Sequence, residues 1–174
     1  MKNQFRIISQ LGIITIALGF LCFAGSVLAQ ESPAAKNTKS SGLNQADKTF
    51  IKKAAKGGMM EVDMGKMAEE QATNDDVKSF GKRMVTDHSK ANSELEAIAK
   101  QKGVKLPGKK TEMKWKSDKE YIDMMVKDHE KDLAEFQKEA SEGTDADLKK
   151  FAGDTAKVIQ EHLDLAKETQ SKVK

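Results

Sequence analysis

Apolar residues recur at alternating spacings of three and four through most of the chain beyond residue 45. This spacing is typical of helices that bury one face and expose the other. It predicts four helices, each about 25 residues long, separated by short polar segments. They run from about Ala46 to Ala72, from the turn at 73–76 to Lys102, from Ser117 or Asp118 to Gly143, and from Thr144 or Asp145 to about Ser171.

Four long amphipathic helices in one chain predict an all-α four-helix bundle. The longest connection, residues 103–117, includes Pro107 and Gly108 and joins helices two and three. When extended, a segment of this length reaches about 50 Å, which exceeds the length of about 37 Å expected for each helix. We therefore expect a ferritin-like bundle in which the long connection crosses the whole length of the bundle.

The first 29 residues have the composition of a signal peptide. A basic start precedes an uncharged stretch, residues 11–29, that ends in small residues at Ala29. Cleavage after Ala29 would leave a polar, flexible linker at 30–45 and a bundle domain at 46–172, in a protein that is periplasmic or secreted. The stretch is also long enough to span a bilayer, so an uncleaved inner-membrane anchor is the alternative.

Removal of the signal peptide changes the charge and the cysteine count. Lys2 and Arg6 are two of the 30 basic residues, so the chain after Ala29 carries 28 basic residues against 27 acidic ones. The one cysteine, Cys22, is also lost. A nearly neutral surface argues against a nucleic-acid partner, and a chain without cysteine has no disulfide partner. Membrane contact is expected only through an uncleaved N-terminal segment, and the sequence indicates no particular protein partner.

Each predicted helix has one residue able to bind a metal in the middle of its apolar stripe. These residues are Glu61, His88, His129 and His162, which include all three histidines of the chain. A chance distribution would seldom place all three histidines on positions that face the core. The pattern therefore predicts that the four side chains meet in the core as one metal site.

An acidic residue directly precedes every histidine. These acids are Asp87, Asp128 and Glu161. Adjacent residues on a helix point about 100° apart, so an acid cannot orient the imidazole that follows it. It can reach the ring of a neighbouring helix, and we expect the three acids to accept hydrogen bonds from the ligating rings.

The order of these residues resembles that of a known family. The stretch M-V-T-D-H-S-K-A-N at 84–92, with F-x₃-A-x₆-E in helix one, D-H in helix three and Q-E-H-L in helix four, is similar to the bacterial exported family called domain of unknown function 4142. The similarity extends over about residues 46–170. It implies a ferritin-like four-helix bundle in the periplasm or outer membrane, and it implies no particular activity.

The candidate site contains more imidazole and less carboxylate than a di-iron centre. Ferritin-like di-iron proteins carry Glu-x-x-His on two helices, whereas here Val85, Val126 and Ile159 stand three residues before the histidines. Imidazole-rich sites suit zinc, copper or a single iron ion. One transition metal ion is therefore the only cofactor that the sequence predicts.

Three functions are compatible with these residues. The first is an exported metal-binding bundle with a role in envelope or stress physiology. The second is a structural or interaction module of the cell envelope, in which the histidines and acids form a buried polar layer without metal. The third is a ferritin-like redox enzyme. The sequence shows neither a nucleophile with a positioned base nor a glycine-rich phosphate loop, so it favours binding over catalysis.

Overall fold

The computed structural model describes residues 42–108 and 113–174, and these residues contain four helices. The helices are α1 (Gln45–Gln71), α2 (Asp75–Gln101), α3 (Asp118–Glu142) and α4 (Ala146–Lys172). The predicted all-α four-helix bundle is therefore confirmed. The predicted signal peptide, and all but the last four residues of the predicted linker, lie outside the described residues. Within the described ranges, each helix is too polar to serve as a membrane span.

Polar side chains begin all four helices. The side-chain oxygens of Asn44, Asn74, Ser117 and Asp145 accept hydrogen bonds from backbone N–H groups in the first turns of α1, α2, α3 and α4. These N–H groups have no partner within the helix, so the caps stabilise the start of each helix. Gly103 follows α2 with a φ of 68°, a left-handed conformation that favours glycine and ends the helix.

The bundle consists of two antiparallel hairpins joined by a crossover. Short turns join α1 to α2 and α3 to α4. At one end of the bundle, the Asp118 carboxylate at the start of α3 accepts hydrogen bonds from the backbone N–H groups of Thr73 and Asn74 in the first turn. At the other end, Lys102 directly after α2 donates to Asp145, 2.6 Å away, before α4. The connection between α2 and α3 therefore starts at one end of the bundle and finishes at the other, as expected of the predicted crossover.

Two apolar clusters fill the core, one toward each end of the bundle. The α1-start cluster includes Phe50, Ile51, Leu95, Phe136, Leu148 and Phe151. The α1-end cluster includes Met64, Phe80, Met84, Tyr121, Ile122 and Met125. Between the two clusters, every helix contributes one buried polar residue. We call these four residues the histidine layer: Glu61, His88, His129 and His162.

Candidate metal centre

The three histidines converge at the middle of the core. His88 of α2, His129 of α3 and His162 of α4 each offer one ring nitrogen, and these atoms lie within 4.8 Å of one another. The ring centroids are 5.2–5.7 Å apart. All three side chains are buried. Because α2 belongs to one hairpin and α3 and α4 to the other, the histidines bring together residues from both hairpins.

Glu61 and a main-chain carbonyl orient two of the rings. His88 Nδ1 lies 3.0 Å from Glu61 Oε2. His129 Nδ1 lies 2.9 Å from the Met125 carbonyl oxygen, and 3.7 Å from Glu61 Oε1. A carbonyl or an ionised carboxylate can only accept, so both Nδ1 atoms carry the hydrogen and donate it. In each ring, Nε2 is therefore the second nitrogen, the one that the acceptor does not engage.

The third ring is oriented by an acid from a neighbouring helix. His162 Nε2 donates to Asp87 Oδ2 of α2 at 2.8 Å. The same carboxylate accepts from Arg83 Nε at 3.2 Å, and Arg83 also donates to Glu161. The guanidinium thus holds Asp87 in place while Asp87 holds the ring. In His162 the second nitrogen is Nδ1.

The second nitrogen of each ring has no hydrogen-bond partner in the described part of the chain. These atoms are His88 Nε2, His129 Nε2 and His162 Nδ1, and all three are buried. A buried polar atom without a partner costs free energy, and such atoms are uncommon in folded proteins. Here there are three such atoms, one on each of three neighbouring rings. This matches the arrangement of metal-binding histidines, in which one nitrogen is held by an acceptor and the other binds the ion. The donor set therefore fits a transition metal ion.

Burial sets the charge of two of the rings. It lowers the pKa of His162 to about 4, although the hydrogen bond to Asp87 acts in the opposite direction. Burial also lowers the pKa of His129. Both rings are therefore neutral near pH 7, which is the form that binds metals.

His88 and Glu61 stabilise each other as an ion pair. Burial alone would lower the pKa of His88, but the Glu61 carboxylate raises it above its ordinary value. Burial would raise the pKa of Glu61, but the histidines, His88 first, lower it. An ion that binds His88 must therefore displace a proton.

The residues predicted to form the site occupy different places around it. Glu61 is not in the group of three nitrogens within 4.8 Å and instead contacts the outward nitrogens of two rings. Asp87 contacts the ring of the neighbouring helix α4. Glu161 accepts a hydrogen bond from Arg83 and, among the described residues, makes none to a histidine ring. Asp128 makes no hydrogen bond to a ring within the described ranges, and burial raises its pKa.

Sequence reasoning missed two groups that shape the site. The Met125 carbonyl orients His129 from one turn earlier on α3. Arg83 stands one turn before Asp87 on α2 and pairs with it. The spacing of Arg83 and Asp87 is a signal for an ion pair on one helix face. A main-chain acceptor leaves no signal in the side-chain pattern.

Solved structures show the same fold at low sequence identity. A DUF305 fragment from Deinococcus radiodurans aligns with a TM-score of 0.65 and 10% identity, covering 76% of this chain and 99% of that chain. CopM in the Cu(I)-bound form aligns with a TM-score of 0.64 and 16% identity, covering 72% of this chain and 96% of that chain. At such low sequence identities, these structural similarities establish the helical-bundle fold and nothing more.

The sequence comparisons point to one family. No curated protein matches the sequence. Residues 32–169 match the family described as Domain of unknown function (DUF4142), which agrees with the resemblance of the stretch at 84–92. The match covers well over half of the chain, and so the chain belongs to the DUF4142 family.

Proposed function

We propose that this protein binds one first-row transition metal ion, with copper the first candidate and zinc the second, through His88, His129 and His162. The observation that carries the proposal is the convergence of three buried rings: each has a nitrogen within 4.8 Å of the others, and each has one nitrogen without a hydrogen-bond partner among the described residues. Glu61 and Asp87 support it by holding the outward nitrogens of His88 and His162.

The donor set supports copper or zinc over a hard cation. Three imidazole nitrogens suit copper and zinc, whereas calcium and magnesium prefer oxygen ligands. Three protein ligands leave a further coordination position on the ion. The likeness to CopM, a bundle with bound Cu(I), makes copper the first ion to test.

The proposal is tested by titrating the metal-free protein. We expect one equivalent of Cu⁺ or Zn²⁺ to bind in competition with a chromophoric chelator. His88→Ala, His129→Ala and His162→Ala should each lose this equivalent, because two imidazoles hold the ion far less tightly than three. Asp164→Asn is the matched control, since Asp164 is exposed on α4 and accepts a hydrogen bond from Gln160.

Two results would contradict the proposal. One is a protein that takes up neither ion, which would favour a buried polar layer without metal. The other is full retention of the ion by all three histidine variants, provided that circular dichroism shows them folded.

We also propose that the bundle acts outside the cytoplasm after cleavage following Ala29. The support is the basic start and the uncharged stretch at 11–29. N-terminal sequencing of the protein from periplasmic and membrane fractions tests this proposal. A mature N-terminus at Gln30 is expected, and an intact N-terminus in the membrane fraction would instead indicate an anchor.

A further inference from the structure

Apolar side chains close the histidine layer along the axis of the bundle. The α1-start cluster packs on one side of the layer and the α1-end cluster on the other. Protein cores are densely packed, and transfer of a charged ion into an apolar core is costly. A cation can therefore reach the layer only from the side, between two helices.

A cavity of about 320 Å³ between α1 and α3 reaches the layer from the side. We call it the α1–α3 cavity. Its lining extends from exposed Lys53 to buried Glu61 and His88. α1 packs more loosely against α3 than against α2. Gly57 lines the cavity, and a Cβ at this position would stand 3.8 Å from its nearest neighbour, Asp132 Oδ2. The helix therefore leaves this side of the cavity open.

Carboxylates line the inner part of the α1–α3 cavity. Asp128 and Asp132 stand one turn apart on α3, both half-buried, and neither makes a hydrogen bond or an ion pair with any residue that the structure describes. Glu61 also lines the cavity, is only 3% exposed, and has no hydrogen-bond partner for Oε1. The lysines of the lining are exposed at its rim, so a cation that passes them meets the carboxyl groups of Asp128 and Asp132, which have no charged partner within the described ranges.

The pKa of Asp132 agrees with this charge distribution. Burial raises it to about 7, and the negative charges of Glu61, Asp128 and Glu135 contribute. Glu135 is paired with Lys53 at 3.4 Å. The inner acids are thus close enough to destabilise one another, and a bound cation would relieve that repulsion.

A second cavity of about 320 Å³, between α2 and α4, also reaches His88 and His162. We call it the α2–α4 cavity. Three of its four acids are already partnered, because Arg83 binds Asp87 and Glu161 and two lysines bind Asp154. These ion pairs neutralise part of the negative charge that a cation would meet at this opening. The electrostatics favour access through the α1–α3 cavity.

We infer that a hydrated transition-metal cation enters and leaves the three-histidine site through the α1–α3 cavity and is held there transiently by Asp132 and Asp128. This inference rests on the proposed function, because it describes the route to that site. It assigns Asp132 a role in the rate of exchange, and none in holding the ion at equilibrium.

The test uses Co²⁺ as a coloured probe. Association is followed by visible absorption in a stopped-flow instrument, and release is followed after addition of excess chelator. Asp132→Asn should lower the rate constants of association and release by about tenfold each and leave Kd unchanged, because it removes a carboxylate that holds the ion on the route and not at the site. Gly57→Leu should narrow the cavity, slow association and release about tenfold each, and leave Kd within about twofold.

Matched controls alter the other cavity. Glu94→Gln removes a carboxylate, and Val158→Phe adds bulk, on the lining of the α2–α4 cavity. Both controls should exchange Co²⁺ at the rate of the unaltered protein. Each variant must bind one equivalent at equilibrium, which shows that its site is intact. If Gly57→Leu does not fold, Asp132→Asn alone tests the route. This variant is expected to fold, because it preserves the shape of the side chain.

Three outcomes would overturn the inference, and they differ in what else they overturn. If the unaltered protein takes up no Co²⁺, the proposed function fails with it. If one equivalent binds but Val158→Phe slows exchange and Gly57→Leu does not, only the route is wrong. If Asp132→Asn raises Kd at an unchanged association rate, the carboxylate contributes to the site itself and not to the route.

Discussion

At the scale of single residues, the outward nitrogens of the three rings explain why the inward ones face one another. Glu61 fixes His88, the Met125 carbonyl fixes His129, and Asp87 fixes His162. A ring held at one nitrogen cannot turn without breaking that hydrogen bond. The acceptors therefore determine which nitrogen of each histidine is available to an ion.

Asp87 should contribute to metal affinity although it does not bind the ion. Asp87→Asn removes the charge that makes His162 a stronger ligand, so Kd for Cu⁺ or Zn²⁺ should rise by about tenfold with one equivalent still bound. A competition titration against a chromophoric chelator measures this Kd. Asp164→Asn is the control, because Asp164 is exposed on α4 and bonds Gln160. An unchanged Kd for Asp87→Asn would show that the hydrogen bond has no part in binding.

Glu139 should make the stability of the protein depend on pH. Burial, together with the negative charge of Asp47, raises the pKa of Glu139 to about 7. In the unfolded chain the group ionises near its ordinary value of 4.5. Between pH 4.5 and about pH 7, the folded state therefore binds more protons than the unfolded chain. The free energy of unfolding falls as the pH rises through this range.

Glu139→Gln tests this dependence. Urea unfolding measures the free energy of unfolding of the variant relative to that of the unaltered protein. This difference should shift in favour of the variant by on the order of 1 kcal/mol from pH 5 to pH 8, because the amide carries no charge to bury. Glu142→Gln, in the same turn but exposed, is the control. A difference between variant and parent that is the same at both pH values would contradict the prediction.

At the scale of helices, close approach of α1 and α2 brings Glu61 to His88. A Cβ on Gly65 of α1 would stand 2.7 Å from the carbonyl oxygen of Gly81 on α2. A Cβ on Gly81 would in turn stand 2.7 Å from Ala68 Cβ. Only glycine at both positions allows this separation between the two helices.

Gly65→Ala should therefore destabilise the bundle. Alanine favours a helix by about 1 kcal/mol over glycine, but the clash with main-chain atoms should outweigh this gain and give a net loss of roughly 1–3 kcal/mol. Gly153→Ala on α4 is the control, since its Cβ would make an ordinary 3.6 Å contact with Ala140. It should stabilise by about 0.5–1 kcal/mol. Chemical unfolding measures both, and a more stable Gly65→Ala would contradict the prediction.

At the scale of the whole molecule, the periodicity of the sequence was sufficient to predict the four helices, and the length of the connection at 103–117 was sufficient to predict the crossover. Helix ends were predictable within one or two residues because capping residues such as Asn74 and Asp145 act locally. The apolar stripes also placed all three histidines in the core, because a mid-helix residue on such a stripe has nowhere else to point.

The role of Glu61 could not be predicted in the same way. Whether its carboxylate faces the centre of the layer or the outward nitrogens depends on small rotations of α1, which follow from contacts such as Gly58 against Asn92. The same holds for Asp132, which shares a helix face with His129 yet lines the α1–α3 cavity. Periodicity defines a face to within about 100°, which is too coarse to decide such contacts.

The proposed function requires one metal ion that joins the two hairpins through three imidazoles. X-ray absorption spectroscopy of the copper-loaded protein tests this claim most directly. We expect a first shell of nitrogen at about 2.0 Å with the multiple scattering of imidazole rings, fitted by three histidines and changed in His162→Ala. A first shell of sulfur or of oxygen alone, or a spectrum that His162→Ala leaves unchanged, would contradict the account.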